Sequence, residues 1–69
     1  MDDNTFAKQF GENLRALRKG YGMTQDQLAR EIGVSKSSIN MYERGEREPG
    51  LFVLKKIVEH YGVSFEMLI

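Results

Sequence analysis

A short signature recurs three times along this chain and constrains its fold more than any other feature. In each copy a hydroxyl residue able to cap a helix N-terminus follows an apolar residue. A second apolar residue stands four positions after the cap, where the two apolar side chains can staple the first turn. In "MTQDQL" the cap is Thr24, the staple is Met23 with Leu28, and Gln27 can close a capping box. In "VSKSSI" the cap is Ser35 and the staple Val34 with Ile39; in "VSFEML" they are Ser64 and Val63 with Leu68. One match arises easily by chance, whereas three at the same offsets mark three helix starts.

The remaining segments carry a helical period. Phe6, Phe10, Leu14 and Leu17 form one stripe, and Gly22 suits a left-handed cap behind it. Gly20, in the last turn, costs about 1 kcal/mol relative to Ala. Pro49 excludes helix at Glu48, and beyond Gly50 the residues Leu51, Leu54, Ile57, Val58 and Tyr61 are expected to face inward. No strand pattern appears. The expected fold is all-α, one domain over residues 1–69, with five helices at about 5–21, 24–31, 35–43, 51–60 and 64–69.

Composition removes several function classes. A chain of 69 residues buries only about 60% of its unfolded surface, so its stability is modest. It has no cysteine, hence no disulfide and no thiolate metal site. The start "MDDNTF" shows no signal peptide, and no apolar run nears the roughly 18 residues of a membrane span, so a cytoplasmic location is expected. Ten basic and ten acidic residues cancel, and distribution then matters more than the sum. The acids gather towards the ends, at Asp2, Asp3, Glu12, Glu59 and Glu66. His60 is the single histidine and lacks companions for a metal. Ser37 and Ser38 have no base within reach by spacing. Neither an enzyme nor a cofactor is expected.

Helices two and three are joined by "IGVS", in which Gly33 permits positive φ and Ser35 starts the next helix at once. Two short helices joined so cross at a large angle, as a helix-turn-helix. Ala29 is small where they pack closest. An ordinary helical corner satisfies the same pattern, but the outer face of helix three is distinctive. Lys36, Ser37, Asn40, Met41 and Arg44 fall within an arc of roughly 140° at about 100° per residue. Ile39 and Tyr42 take the opposite side. Major-groove reading uses these side chains: Lys for guanine O6 and N7, Asn for adenine N6 and N7, Ser for either, and an apolar contact for the thymine methyl. The N-termini of helices two and three offer free N–H groups to phosphate.

The segment "TQDQLAREIGVSKSSINMYERGEREP" resembles the helix-turn-helix of the Cro and phage-repressor (XRE-type) family. Thr24, Gln25, Leu28, Ala29, Gly33, Val34, Ser35, Ile39, Glu43, Arg44, Gly45 and Pro49 carry the likeness, which extends to Leu14, Leu17, Arg18, Leu54 and "YGVSFEMLI". The resemblance implies a five-helix, lambda-repressor-like domain that binds double-stranded DNA, usually as a dimer on a two-fold operator, in a transcriptional regulator whose expected action is repression. By position it implies base reading by Lys36, Ser37, Asn40 and Met41. Phosphate contacts are implied for Thr24, Gln25 and Arg44, with Ser35 and Arg47 as further candidates. It also implies a partly buried salt bridge between Arg18 and Glu43. Physics asks for that pair too, because Glu43 sits at the unfavourable end of the helix dipole and an arginine offers it a bidentate fork.

Two departures stand out. Glu46 and Glu48 place negative charge in the loop after helix three. Phe52 and Val53 stand near the start of helix four, where polar residues are more usual. Phe52, Val53, Leu68 and Ile69 are therefore the candidate dimer contacts. The rival expectation is a protein-interaction module, such as the antitoxin half of a toxin–antitoxin pair, that holds a partner through the same surface and also binds its own operator.

Overall fold

The computed structural model describes residues 4–69; Asp2 and Asp3, placed above among the terminal acids, lie outside the described residues. Among the described residues four α-helices follow one another: α1 (Asn4–Gly20), α2 (Gln25–Ile32), α3 (Lys36–Glu43) and α4 (Leu51–Tyr61). A single 3-10 turn, Phe65–Met67, comes last. The expected bounds shift slightly. Tyr21 lies in the turn after α1, Thr24 and Ser35 are caps rather than helical residues, and Tyr61 belongs to α4.

Two of the three start signals fold as expected. Thr24 Oγ1 accepts from the Gln27 backbone N–H and the Thr24 N–H donates to Gln27 Oε1, a complete capping box. Ser35 Oγ accepts from the Ser38 N–H at 3.0 Å. The third signal is weaker than expected, and the fifth helix is corrected to one 3-10 turn. Ser64 makes no side-chain cap, and the hydrogen bonds run from Met67 N to Ser64 O and from Leu68 N to Phe65 O. Such i-to-i+3 bonds tighten the backbone while Leu68 is drawn into the core.

Phe10, Leu14, Leu28, Ile32, Ile39, Ile57 and Leu68 are the large, fully buried side chains. Around them pack Ala29, Tyr42, Val53 and Leu54, with Phe10 edge-on to Tyr42 at 5.9 Å between ring centroids. Along α4 the expected stripe holds at Leu54 and Ile57, which are buried, and at Val58 and Tyr61, which pack against the core, but Leu51 is 80% exposed and Val53 is buried instead. The reason is local, since Leu51 is the first residue of the helix, where helical period alone does not say how far the core extends.

α3 packs against both α1 and α2. The α1 contact depends on Gly11. A Cβ there would overlap the Tyr42 carbonyl oxygen and lie 3.0 Å from that of Glu43. Gly33, at φ 75°, makes the sharp turn from α2 into α3, a conformation costly for any residue with a side chain. No described helix is long and apolar enough to cross a membrane.

Candidate nucleic-acid interface

α3 is held at its inner face and at its C-terminal end. Ile39 and Tyr42 anchor its inner face in the core. At its C-terminal end Arg18 of α1 meets Glu43 with a fork: Nε donates to Oε2 at 2.7 Å and Nη2 to Oε1 at 3.1 Å. The third guanidinium nitrogen, Nη1, donates to the Met23 carbonyl at 2.9 Å. One side chain thus ties α1 to α3 and to the turn before α2. The pair's side chains are only 13% and 4% exposed, which separates it from a surface ion pair. The hydrogen bonds to Glu43 raise the Arg18 pKa above its ordinary value, outweighing the desolvation that opposes its charge.

Held in this way, α3 presents the expected arc. Lys36, Ser37 and Arg44 are exposed; Asn40 and Met41 are half-buried. Lys36, Ser37 and Asn40, together with Gln25 from the start of α2, line a shallow depression of about 350 Å³. Gln25 turns inwards rather than out to solvent. Its Nε2 lies 3.2 Å from Glu43 Oε1 and 3.4 Å from Asn40 Oδ1. Thr24 and Ser35 spend their oxygens on the caps, and Ser35 also donates to Ser38 Oγ.

The loop after α3 carries mixed charge. Arg44 pairs with Glu46 at 2.9 Å on the surface, and Arg47 Nη1 donates to Ser38 Oγ at 3.2 Å. Both arginines therefore remain beside α3, although Arg44 shares its charge with an acid.

The four candidate dimer contacts divide. Phe52 is 67% exposed and Ile69 43%, whereas Val53 and Leu68 are buried in the core and are corrected as exposed residues. Leu51, Phe65 and Met67 are exposed instead. On the face away from this arc, Glu31 of α2 accepts hydrogen bonds from Tyr61 Oη at 2.7 Å and from His60 Nε2 at 2.9 Å. Pattern reading had no means of finding this clasp, because its members are 29 and 30 residues apart. Gly11 was missed as well; a glycine in mid-helix, unfavourable by propensity, was the available signal.

Comparison with known proteins agrees with this geometry. The helix-turn-helix family model matches residues 14–68. An uncharacterized HTH-type transcriptional regulator of Archaeoglobus fulgidus is 43% identical over 56 residues, which are 81% of this chain and 24% of that protein. The cryptic phage CTXphi transcriptional repressor RstR of Vibrio cholerae is 33% identical over 60 residues, 87% of this chain and 54% of its own length. Among solved structures, the restriction-modification controller protein C.AhdI from Aeromonas hydrophila superposes with a TM-score of 0.82 at 30% identity, covering 91% of this chain and 96% of that one. The chain spans about a fifth to a half of the length of the first curated relatives it matches.

Proposed function

The chain belongs to the helix-turn-helix family of transcriptional regulators, and from that premise we propose that its 69 residues act as one sequence-specific, double-stranded DNA-binding unit, with α3 in the major groove. One observation carries the proposal. The reading arc of α3 is free to approach base edges while the opposite face is locked by core packing and by Arg18–Glu43. Lys36, Ser37, Asn40 and Met41 read bases. The first N–H groups of α2 and α3, with Thr24, Gln25, Ser35, Arg44 and Arg47 around them, hold the phosphates. The protein works where the chromosome is, in the cytoplasm, and represses by occupying its site.

One short helix reads too few base pairs to select a genomic site, so the protein binds as a dimer on a two-fold operator, its two α3 helices about 34 Å apart. The exposed apolar residues Phe52 and Ile69, with Leu51, Phe65 and Met67, lie on α4, on the 3-10 turn and just after it, and there we place the axis. A chain of zero net charge gains little from phosphate attraction, so one copy binds weakly and pairing is cooperative on DNA. Selection from random duplexes tests the reading, with a palindromic site expected and no enrichment contradicting it. Sedimentation with and without that duplex tests the pairing. Unchanged cooperativity in Phe52→Glu contradicts the interface.

A second reading, a module that holds a protein partner in the manner of an antitoxin, is favoured by the exposure of Leu51 and Phe52 at 80% and 67%. It requires a stoichiometric partner that is released by Phe52→Glu while DNA selection persists.

A further inference from the structure

We infer that Gln25 is a positioning residue for base reading: backed by Arg18 and Glu43, it fixes which way round Asn40 presents its amide to a base pair. This rests on the DNA-reading function proposed above.

The inference follows from which atoms can donate. Arg18 can only donate, and it gives two hydrogen bonds to Glu43. Glu43, held as a carboxylate partner, can only accept. Gln25, 3.2 Å from Glu43 Oε1, must therefore turn its Nε2 inwards. The second proton on that nitrogen faces Asn40 at 3.4 Å, so Asn40 must turn its Oδ1 towards α2 and its Nδ2 away. Polarity thus passes from a permanent cation on α1, through a carboxylate and an amide, to the reading face of α3. All four residues are half-buried, so water competes weakly for these bonds.

The consequence lies in specificity. A free asparagine amide can rotate by half a turn and exchange its donor and acceptor. Adenine presents the N6 donor and N7 acceptor in a set order along the major groove. A pinned amide matches that order in one orientation of the pair and opposes it in the reverse, whereas a free amide accommodates both. The relay also reassigns the phosphate contact expected of Gln25. Its outward side-chain atom is Oε1, an acceptor, so the phosphate falls to its backbone N–H at the start of α2.

The test uses the whole chain on its selected duplex, at the base pair whose preference disappears in Asn40→Ala. With Gln25→Ala, discrimination between that pair and its reversed form is expected to fall about tenfold, the scale of one well-made side-chain–base contact. Gln25→Lys, which can only donate, is expected to keep that discrimination while strengthening binding to every duplex. Loss of affinity by one common factor in Gln25→Ala, or loss of discrimination in Gln25→Lys, overturns the positioning role and leaves DNA reading intact. A wild-type chain that selects no site overturns DNA reading and this inference together. Without DNA, nuclear magnetic resonance is expected to show slowed exchange of both Gln25 side-chain amide protons, one of them released in Asn40→Ala. Exchange of both at the rate of a solvated glutamine in the wild type overturns the relay directly.

Discussion

Two glutamates in this molecule each gather donors from other helices, with nearly the same geometry and opposite prospects. Glu43 takes Arg18 at 2.7 and 3.1 Å; Glu31 takes Tyr61 at 2.7 Å and His60 at 2.9 Å. The difference is water. The Arg18 and Glu43 side chains are 13% and 4% exposed, those of His60 and Glu31 47% and 40%. A solvated pair gives up little when broken, because water replaces the lost partner. A buried one leaves a charge that nothing replaces. The two sites also differ in what lies beyond them. Glu43 leads through Gln25 to the reading face of α3, while Glu31 ties α2 to the far end of α4. Distance alone would rank the two alike; burial and position make one structural and functional and the other a surface clasp.

The largest effect should come from breaking the buried pair. Arg18→Ala and Glu43→Ala are each expected to lose about 3 kcal/mol, a large share of the stability of so small a domain, and to weaken DNA binding with it. Chemical denaturation of both single mutants and the double mutant measures the coupling. A coupling energy near zero would make the two glutamates equivalent after all.

Next in size is Gly11→Ala, on the same side of the molecule. Helix propensity alone favours alanine by about 1 kcal/mol. The added methyl would overlap the Tyr42 carbonyl, and forcing extra volume into a packed contact costs about 1–3 kcal/mol. Net destabilisation in thermal unfolding is expected, and stabilisation would show that α1 and α3 do not meet this closely.

The clasp should matter least, and what it contributes should fade at the extremes of pH. Burial first, then the hydrogen bond to Glu31, raises the Tyr61 pKa above its ordinary value of 10.0. The unfolded chain therefore loses that proton first. The stabilisation is complete below pH 10 and is lost as pH rises through the folded-state value. Glu31 behaves oppositely: hydrogen bonds from Tyr61 and then His60 hold its pKa below the ordinary carboxylate value. Its contribution is present at neutral pH and is lost as acid titrates the folded carboxylate. Stability of Tyr61→Phe should thus start slightly below wild type at pH 7 and fall less steeply than wild type above pH 10. Identical alkaline slopes would remove the clasp from the account.

Sequence alone disclosed most of the fold, for identifiable reasons. Caps and staples are local, so Thr24 and Ser35 could be read from a few neighbours. Ser64 carried the same signal but obtained no cap bond, because three residues of 3-10 turn and the burial of Leu68 decided the backbone there. The inward stripe of α4 was misjudged by its first residue, where helical period alone does not say how far the core extends. The outer arc of α3 was legible as side-chain chemistry at a helical spacing. The inward turn of Gln25 was not, since it depends on a carboxylate 18 residues away. Gly11 shows in the sequence only as a glycine in mid-helix; the contact it permits, like the Glu31 clasp, involves partners remote in sequence.

The central claim is that α3 distinguishes bases and that the buried network holds it in place to do so. Binding of the wild type, Lys36→Ala, Asn40→Ala and the clasp control His60→Ala to a panel of single-base variants of the selected site tests this most directly. Lys36→Ala and Asn40→Ala are expected to lose about 1–3 kcal/mol on the preferred site and to relax preference each at its own base position, while His60→Ala leaves the preference profile of the wild type unchanged. Equal loss across every variant in both α3 mutants would mean that these residues touch only phosphate, and would contradict the assignment of α3 as the reader.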